Sequence, residues 1–163
     1  GSGVAVFASS QNNVQDMLKR LFFKRINPNK VNQVIHVEYL KSVDNIKKIM
    51  AQHAAILRPK FDLFKDRMEE AFAGNENVSW SKPRGGYFIS LDVPGCAKRI
   101  VSLASDAGVK FTAAGSTFPY RIDDNDSNIR IAPSVPSLDE MNFAIDVLTC
   151  AIRIALAEKY LAK

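Results

Sequence analysis

The sequence is poor in the residues that most often bind metals or cross-link a chain. It contains two histidines, His36 and His53, and two cysteines, Cys96 and Cys150, among 163 residues. Neither histidine has a cysteine or carboxylate neighbour at the spacing of a zinc site, so we expect no metal. The cysteines lie far apart in apolar, helix-like patterns, which indicates buried free thiols and a reducing, cytoplasmic compartment rather than a disulfide framework.

Long apolar runs and clusters of like charge are also absent. No segment reaches the length of a membrane span and no signal peptide is visible, so we expect no membrane partner. The net charge is +5, but the 22 basic residues are spread along the chain. Such a distribution does not favour nucleic acid, which stays a weaker alternative. With 47% hydrophobic and 24% charged residues, the composition is typical of a globular protein with a sizeable core.

The segment 82–94 carries the clearest strand pattern in the chain. It opens with a turn signal, a proline followed by the diglycine Gly85-Gly86. Apolar and polar residues then alternate from Tyr87 onward, which gives an extended chain one apolar face. The preceding segment 78–81 alternates in the same way, so the two predict a hairpin. The diglycine would allow another group to approach the backbone closely, and a plain tight turn is the alternative role.

A long amphipathic helix precedes this hairpin. Ser42 is suited to cap it, and Gly74 is suited to end it. Apolar residues recur every three to four positions in between, and His53 falls on the same inward stripe. Pro59 lies inside the pattern and predicts a kink, because proline removes a backbone donor and clashes with the preceding turn.

The remaining patterns complete an α/β prediction. A capping box formed by Ser137 and Glu140 opens the last helix. The order from residue 78 onward predicts a two-layer sandwich, with a small, mostly antiparallel sheet, helices on one face and a long helical linker before it. The other predicted elements are a strand at 4–8, two short helices before residue 41, a helix at 96–107, and strands at 109–112 and 128–132. Asp123, Asp124 and Asp126 lack the spacing of a calcium loop and indicate a solvated loop instead.

Arg130 is the residue whose chemistry stands out. It lies in the middle of an apolar strand pattern and shares its face with Asn128. A buried, unpaired guanidinium is costly, and its planar fork matches a carboxylate. The residues alone leave three alternatives open: a ligand carboxylate, a structural ion pair with Asp92 or Glu76, or a solvated face.

From residue 77 to residue 161 the order of these features resembles the C-terminal small domain of fold-type I pyridoxal-phosphate-dependent aminotransferases of class I/II. The resemblance implies an enzyme that transfers an amino group between an amino acid and a 2-oxo acid. It also implies pyridoxal 5'-phosphate in the full-length enzyme, which we expect to be a homodimer. The matching segments are Pro-Arg-Gly-Gly-Tyr-Phe (83–88), Leu-Asp-Val-Pro (91–94), Ala-Gly-Val (107–109), Ala-Gly-Ser-Thr-Phe (114–118) and Asn-Ile-Arg-Ile-Ala-Pro (128–133).

The resemblance implies roles for three residues. Arg130 matches the family arginine that binds the substrate α-carboxylate. Tyr87, beside the diglycine, is implied to line the substrate pocket, and Asn128, on the same strand face as Arg130, is implied to bind the substrate as well. The resemblance also divides the chain into a residual large-domain strand and helix (1–26), a connector with the long linking helix (27–74) and the small domain (75–163).

The first nine residues resemble the strand that follows the Schiff-base lysine of the family. This implies that the lysine is missing from the chain, which would then supply no catalytic residue and bind no cofactor on its own. Gly3 stands where the family often has a phosphate-binding arginine, which is a departure from the pattern. The Ser-x-Ser-Lys motif ending at Lys82 imitates the lysine motif, but its place directly before a hairpin argues against catalysis. A stand-alone α/β module that binds a small acid or a partner protein is the rival interpretation.

Overall fold

Three helices occupy most of the chain up to residue 72. The computed structural model describes residues 3–162 and divides into two units, one up to His53 and one from Ala54. Asn29 caps the second helix, because its Oδ1 accepts a hydrogen bond from the backbone N–H of Asn32 at 3.0 Å. The helices are α1 (Gln11–Lys24), α2 (Lys30–Leu40) and α3 (Val43–Phe72).

The strand-like segment 4–8 does not form a strand in this chain. These residues form no regular element, and the side chain of Val6 is 91% exposed. A strand is stable only when neighbouring strands take up its backbone donors and acceptors, and no described residue offers such an edge here. The apolar alternation was therefore not sufficient to define a strand.

The long helix α3 follows the prediction closely at both ends. It begins after Ser42, whose hydroxyl accepts a hydrogen bond from the N–H of Asn45 at 3.2 Å, and Pro59 lies within it. Its buried residues, all in the second unit, are Phe64, Met68 and Phe72. The inward position predicted for His53 is wrong, because this residue is exposed and no described element covers it.

The second unit contains a three-stranded antiparallel sheet whose strands lie side by side in chain order, which confirms the predicted α/β fold with a small antiparallel sheet. One helix lies between the second and third strands in the chain and one follows the third strand, and together with the end of α3 they contribute to one apolar core on one face of the sheet. The elements are β1 (Ser79–Trp80), β2 (Ile89–Asp92), α4 (Ala97–Asp106), a 3₁₀ turn (Pro119–Arg121), β3 (Asn128–Ile131) and α5 (Leu138–Leu161).

The two faces of the sheet differ in chemistry. Leu91 pairs with Ile129 across β2 and β3, and both are fully buried in the core. The alternate residues project from the opposite face, because successive side chains of a strand point to opposite sides. On that polar face Ser90 pairs with Arg130, and Asp92 pairs with Asn128.

The segment 109–112, predicted to be a strand, is irregular. The backbone N–H of Val109 donates to the carbonyl of Ala104 at 2.8 Å and so closes the end of α4. Tyr87, predicted to lie on the apolar face of the hairpin strand, precedes β2 and is 55% exposed. Cys96 is buried as predicted, but Cys150 is exposed on α5.

The last helix begins as the sequence predicts. The Ser137 hydroxyl accepts from the N–H of Glu140 at 3.2 Å, and the Glu140 carboxylate accepts from the N–H of Ser137 at 2.7 Å. Each residue thereby satisfies a backbone donor that the helix leaves unpaired. Within residues 3–162, none of the helices has both the length and the apolar character needed to cross a membrane.

Candidate carboxylate-binding site

Arg130 lines a cavity of about 840 Å³ in the second unit. The walls come from the segment after α4, the residues that follow β3, and the first turns of α5. Most of these residues are apolar, and the polar ones include Lys110, Thr112 and Glu140. A largely apolar cleft with a few polar groups is the usual form of a small-molecule site.

The guanidinium of Arg130 is held by neutral groups. Its Nη2 donates to the hydroxyl of Thr112 at 3.4 Å, which is long for a hydrogen bond. Its Cζ lies 4.5 Å from the centroid of the Phe88 ring, within the range of a cation–π contact. The Nε atom is buried and makes no hydrogen bond to any described residue.

No carboxylate of the described residues forms an ion pair with Arg130. Asp92, one of the two partners considered from the sequence, instead accepts hydrogen bonds from Asn128 at 2.8 Å and from the Ser90 hydroxyl at 3.2 Å. A cation with unmet hydrogen-bonding capacity in a cleft is poorly compensated until an anion arrives. The contacts therefore suit Arg130 to a carboxylate ligand better than to a structural ion pair.

Asn128 is buried, with 7% of its surface exposed, and its side chain is fully engaged. The amide nitrogen donates to the Ser90 hydroxyl at 2.7 Å and to the Asp92 carboxylate at 2.8 Å. The amide oxygen accepts from the Thr117 hydroxyl at 2.7 Å. This network ties β3 to β2 and to the loop that carries Thr117, so the amide orients the strand on which Arg130 lies.

Tyr87 is not among the residues that line the cavity. It follows Gly86, whose φ of +87° is strained for any other residue, so the diglycine serves the turn that leads into β2. The residue after it, Phe88, is the one that contacts Arg130. Sequence reasoning missed Phe88, although the alternation already placed it on the polar face with Ser90.

Asp123 has a structural role that the sequence analysis did not predict. Its carboxylate accepts from the backbone N–H groups of Ser127 at 2.8 Å, Asn128 at 2.9 Å and Asn125 at 3.2 Å. Burial tends to raise the pKa of this carboxyl, but the hydrogen bonds outweigh burial and lower it. The aspartate predicted to be solvated therefore fixes the start of β3.

Lys82 lies outside the cavity. It follows β1, is exposed, and has its Nζ 3.7 Å from a carboxylate oxygen of Glu69. Lys110 does line the cavity, but it is exposed and lies in an irregular segment. The charged residues that line the cavity are Lys110, Arg130, Asp139 and Glu140, and the rest of the wall is mainly apolar. A phosphate ester and a charged aromatic ring would need more polar partners, so the described residues do not by themselves fit the cofactor of the family.

The fold and the site together define an α/β domain with a cavity and an arginine that has no ion-pair partner among the described residues. The comparisons with known proteins are more specific. The family model described as "Aspartate amino-transferase" matches residues 1–163. The chain is 46% identical over 157 residues to a protein of Mycolicibacterium smegmatis named as a candidate aminotransferase. The aligned region covers 95% of this chain and 37% of that protein. It is 39% identical over 161 residues to an aspartate aminotransferase of Corynebacterium glutamicum, again 37% of that protein.

Solved structures agree with these matches. The crystal structure of an aspartate transaminase from Corynebacterium glutamicum superposes with a TM-score of 0.85 at 39% identity, over 94% of this chain and 37% of that one. An α-aminoadipate aminotransferase from Thermus thermophilus shares the fold, with a TM-score of 0.69 at 17% identity over 92% of this chain. The chain belongs to the aspartate amino-transferase family, and it spans little more than a third of the length of the curated relatives it matches.

Proposed function

We propose that the full-length form of this protein is a pyridoxal-phosphate-dependent aminotransferase, and that this chain contributes Arg130 to bind the substrate carboxylate. The observation that carries the proposal is a guanidinium that has no acid of the described chain as an ion-pair partner, on a residue that also lines a cavity. Membership of the family favours this function over a stand-alone binding module.

The role of Arg130 is to bind and orient the substrate. Two parallel N–H···O bonds from one guanidinium to a carboxylate fix both the distance and the plane of the acid. Hydrogen bonds to charged groups contribute about 1.5–3 kcal/mol each, so such a pair can determine how the reacting carbon is presented. The Phe88 and Thr112 contacts leave other N–H groups of Arg130 for this purpose.

The cofactor, when bound in the full-length protein, supplies the electron sink that amino transfer requires. The described residues do not fit it alone, so we assign its lysine and most of its phosphate contacts to parts of the longer protein outside this chain. Lys82 does not line the cavity that Arg130 lines, which argues against Lys82 as the anchoring lysine. Gly3, where the family often has a phosphate-binding arginine, offers no side chain for that contact.

Asn128 and Tyr87 have supporting roles in the proposal. Asn128 holds β3 in register through Ser90, Asp92 and Thr117, and so positions Arg130 rather than touching the substrate itself. Tyr87 is exposed next to Phe88, where it can contact a ligand that approaches the guanidinium from that side. The cytoplasmic location and the homodimer belong to the proposal as well.

The test uses the full-length protein with pyridoxal phosphate and a 2-oxo acid. Aspartate is the first amino donor to assay, because the 39% identical relative is named an aspartate aminotransferase. Loss of two charge-assisted bonds worth about 3 kcal/mol in total predicts that Arg130→Leu raises KM about a hundredfold. Arg130→Lys should recover only part of this loss, since a lysine cannot bind a carboxylate bidentately.

Arg153→Leu is the matched control, because Arg153 also lies over an aromatic ring, with its Cζ 5.8 Å from the Phe72 centroid, but does not line the cavity. It should leave KM unchanged. The proposal fails if the full-length protein transfers no amino group from any amino acid, or if Arg130→Leu and Arg153→Leu have the same KM.

A further inference from the structure

We propose that Phe88 is a positioning residue for Arg130: its ring holds the guanidinium by one flat face and leaves the N–H edges to a ligand carboxylate. The inference rests on the proposed function and deepens it. It starts from one contact, the 4.5 Å between the Arg130 Cζ and the centroid of the Phe88 ring.

The sheet register brings these two side chains together. Ser90 pairs with Arg130, and Phe88 is two residues before Ser90, so it projects from the same polar face. Diagonal neighbours on adjacent antiparallel strands are within reach of aromatic and long side chains. The diglycine turn ends directly before Tyr87, so the turn that Gly86 allows at φ +87° also sets the position of Phe88.

An aromatic ring supports an arginine without neutralising it. A carboxylate in this place would occupy the N–H groups of Arg130 and compete with any ligand acid. The ring attracts the cation through its face and uses none of the five N–H donors. Thr112 takes one donor at 3.4 Å, and the buried Nε has no partner among the described residues.

Core packing does not account for Phe88. Its side chain is 49% exposed, and it is not a member of the buried core on the other face of the sheet. Its recorded ring contact is with Arg130. Phe88 is therefore a large, half-exposed aromatic residue that contacts a cation with no acid partner among the described residues. These features fit a role in holding that cation.

The test is a set of substitutions in the full-length enzyme, with propionate as a competitive probe that has a carboxylate but no amino or keto group. Phe88→Leu keeps an apolar side chain and removes the ring. We expect it to raise both the Ki of propionate and the KM of the amino acid about fivefold, with kcat and Tm little changed. Phe88→Tyr keeps the ring face and should restore both values to within about twofold of the original.

A double-mutant cycle separates this inference from the proposed function. In the Arg130→Leu background, Phe88→Leu should have no further effect on the Ki of propionate, because the ring then has no cation to hold. If Arg130→Leu weakens propionate but Phe88→Leu does not, the positioning role is overturned and the proposed function stands. If Phe88→Leu acts equally in both backgrounds, or only in proportion to a fall in Tm, the positioning role is also overturned. If Arg130→Leu leaves propionate binding unchanged, the proposed function fails first.

Discussion

Removing the Asp123 carboxylate should loosen the start of β3 without touching the cavity. The carboxylate accepts from the N–H groups of Ser127 at 2.8 Å and Asn128 at 2.9 Å, the two residues that lead into the strand. Bonds to a charged acceptor contribute about 1.5–3 kcal/mol each, and the partial exposure of Asp123 reduces this through solvent screening. We expect Asp123→Ala to cost about 2 kcal/mol locally, which is about thirtyfold in an opening equilibrium.

Hydrogen–deuterium exchange measures this loss at the amides concerned. In Asp123→Ala, the amides of Ser127 and Asn128 should exchange about thirtyfold faster, whereas core amides of α5 should change less. Asp124→Ala is the matched control, because Asp124 is an exposed neighbour for which no hydrogen bond to these amides is recorded. Equal exchange in the two variants would refute the reasoning, since the carboxylate bonds would then contribute nothing.

The same carboxylate gives a pH dependence with a definite sign. The pKa of Asp123 is lowered in the folded state, because the hydrogen bonds from Asn128, Ser127 and Asn125 outweigh the opposing effect of burial. Its stabilisation is therefore present above the ordinary pKa of an aspartate and is lost as the pH falls through the lowered value. The difference in Tm between the original protein and Asp123→Ala should shrink in acid, and a constant or growing difference would contradict this assignment.

Two further predictions concern packing and thiol reactivity. Leu91→Ala should destabilise the second unit by about 2–5 kcal/mol in urea unfolding, because Leu91 is fully buried opposite Ile129; a loss below about 1 kcal/mol would contradict its place in the core. Of the two cysteines in this chain, Cys150 should react quickly with a soluble thiol reagent and Cys96 slowly, because Cys96 is buried and burial raises the pKa of its thiol; a fast phase that survives Cys150→Ser would contradict this.

Local patterns were sufficient to predict the elements that later contact each other in the second unit. Three features depend only on residues that are close in the sequence, and the structure has all three. They are the alternation around Ile89, the capping box at Ser137 and the long helical pattern of α3. Arg130 was identified because a cation in an apolar strand is costly unless something compensates it. The resemblance to the family, rather than the spacing of residues, then indicated that a substrate carboxylate would compensate the charge of Arg130.

The predictions that were wrong share a physical cause. A hydrophobic pattern does not show which other elements pack against the segment in the folded chain. The segments 4–8 and 109–112 have strand-like sequences, but neither has a strand of the described chain as a neighbour to complete its hydrogen bonds. His53 lies on the periodic stripe of α3 yet is exposed, because no described element packs against the helix at this position. Phe88 was overlooked because its value lies in a contact across two strands, which the sequence of one strand cannot show.

The most direct test of the account is a crystal structure of the full-length protein with a substrate-like carboxylic acid bound. The account predicts both carboxylate oxygens at about 2.7–2.9 Å from N–H groups of Arg130, with the Phe88 ring still against the guanidinium. A bound acid held by other residues, with Arg130 paired to a carboxylate of the protein itself, would contradict it.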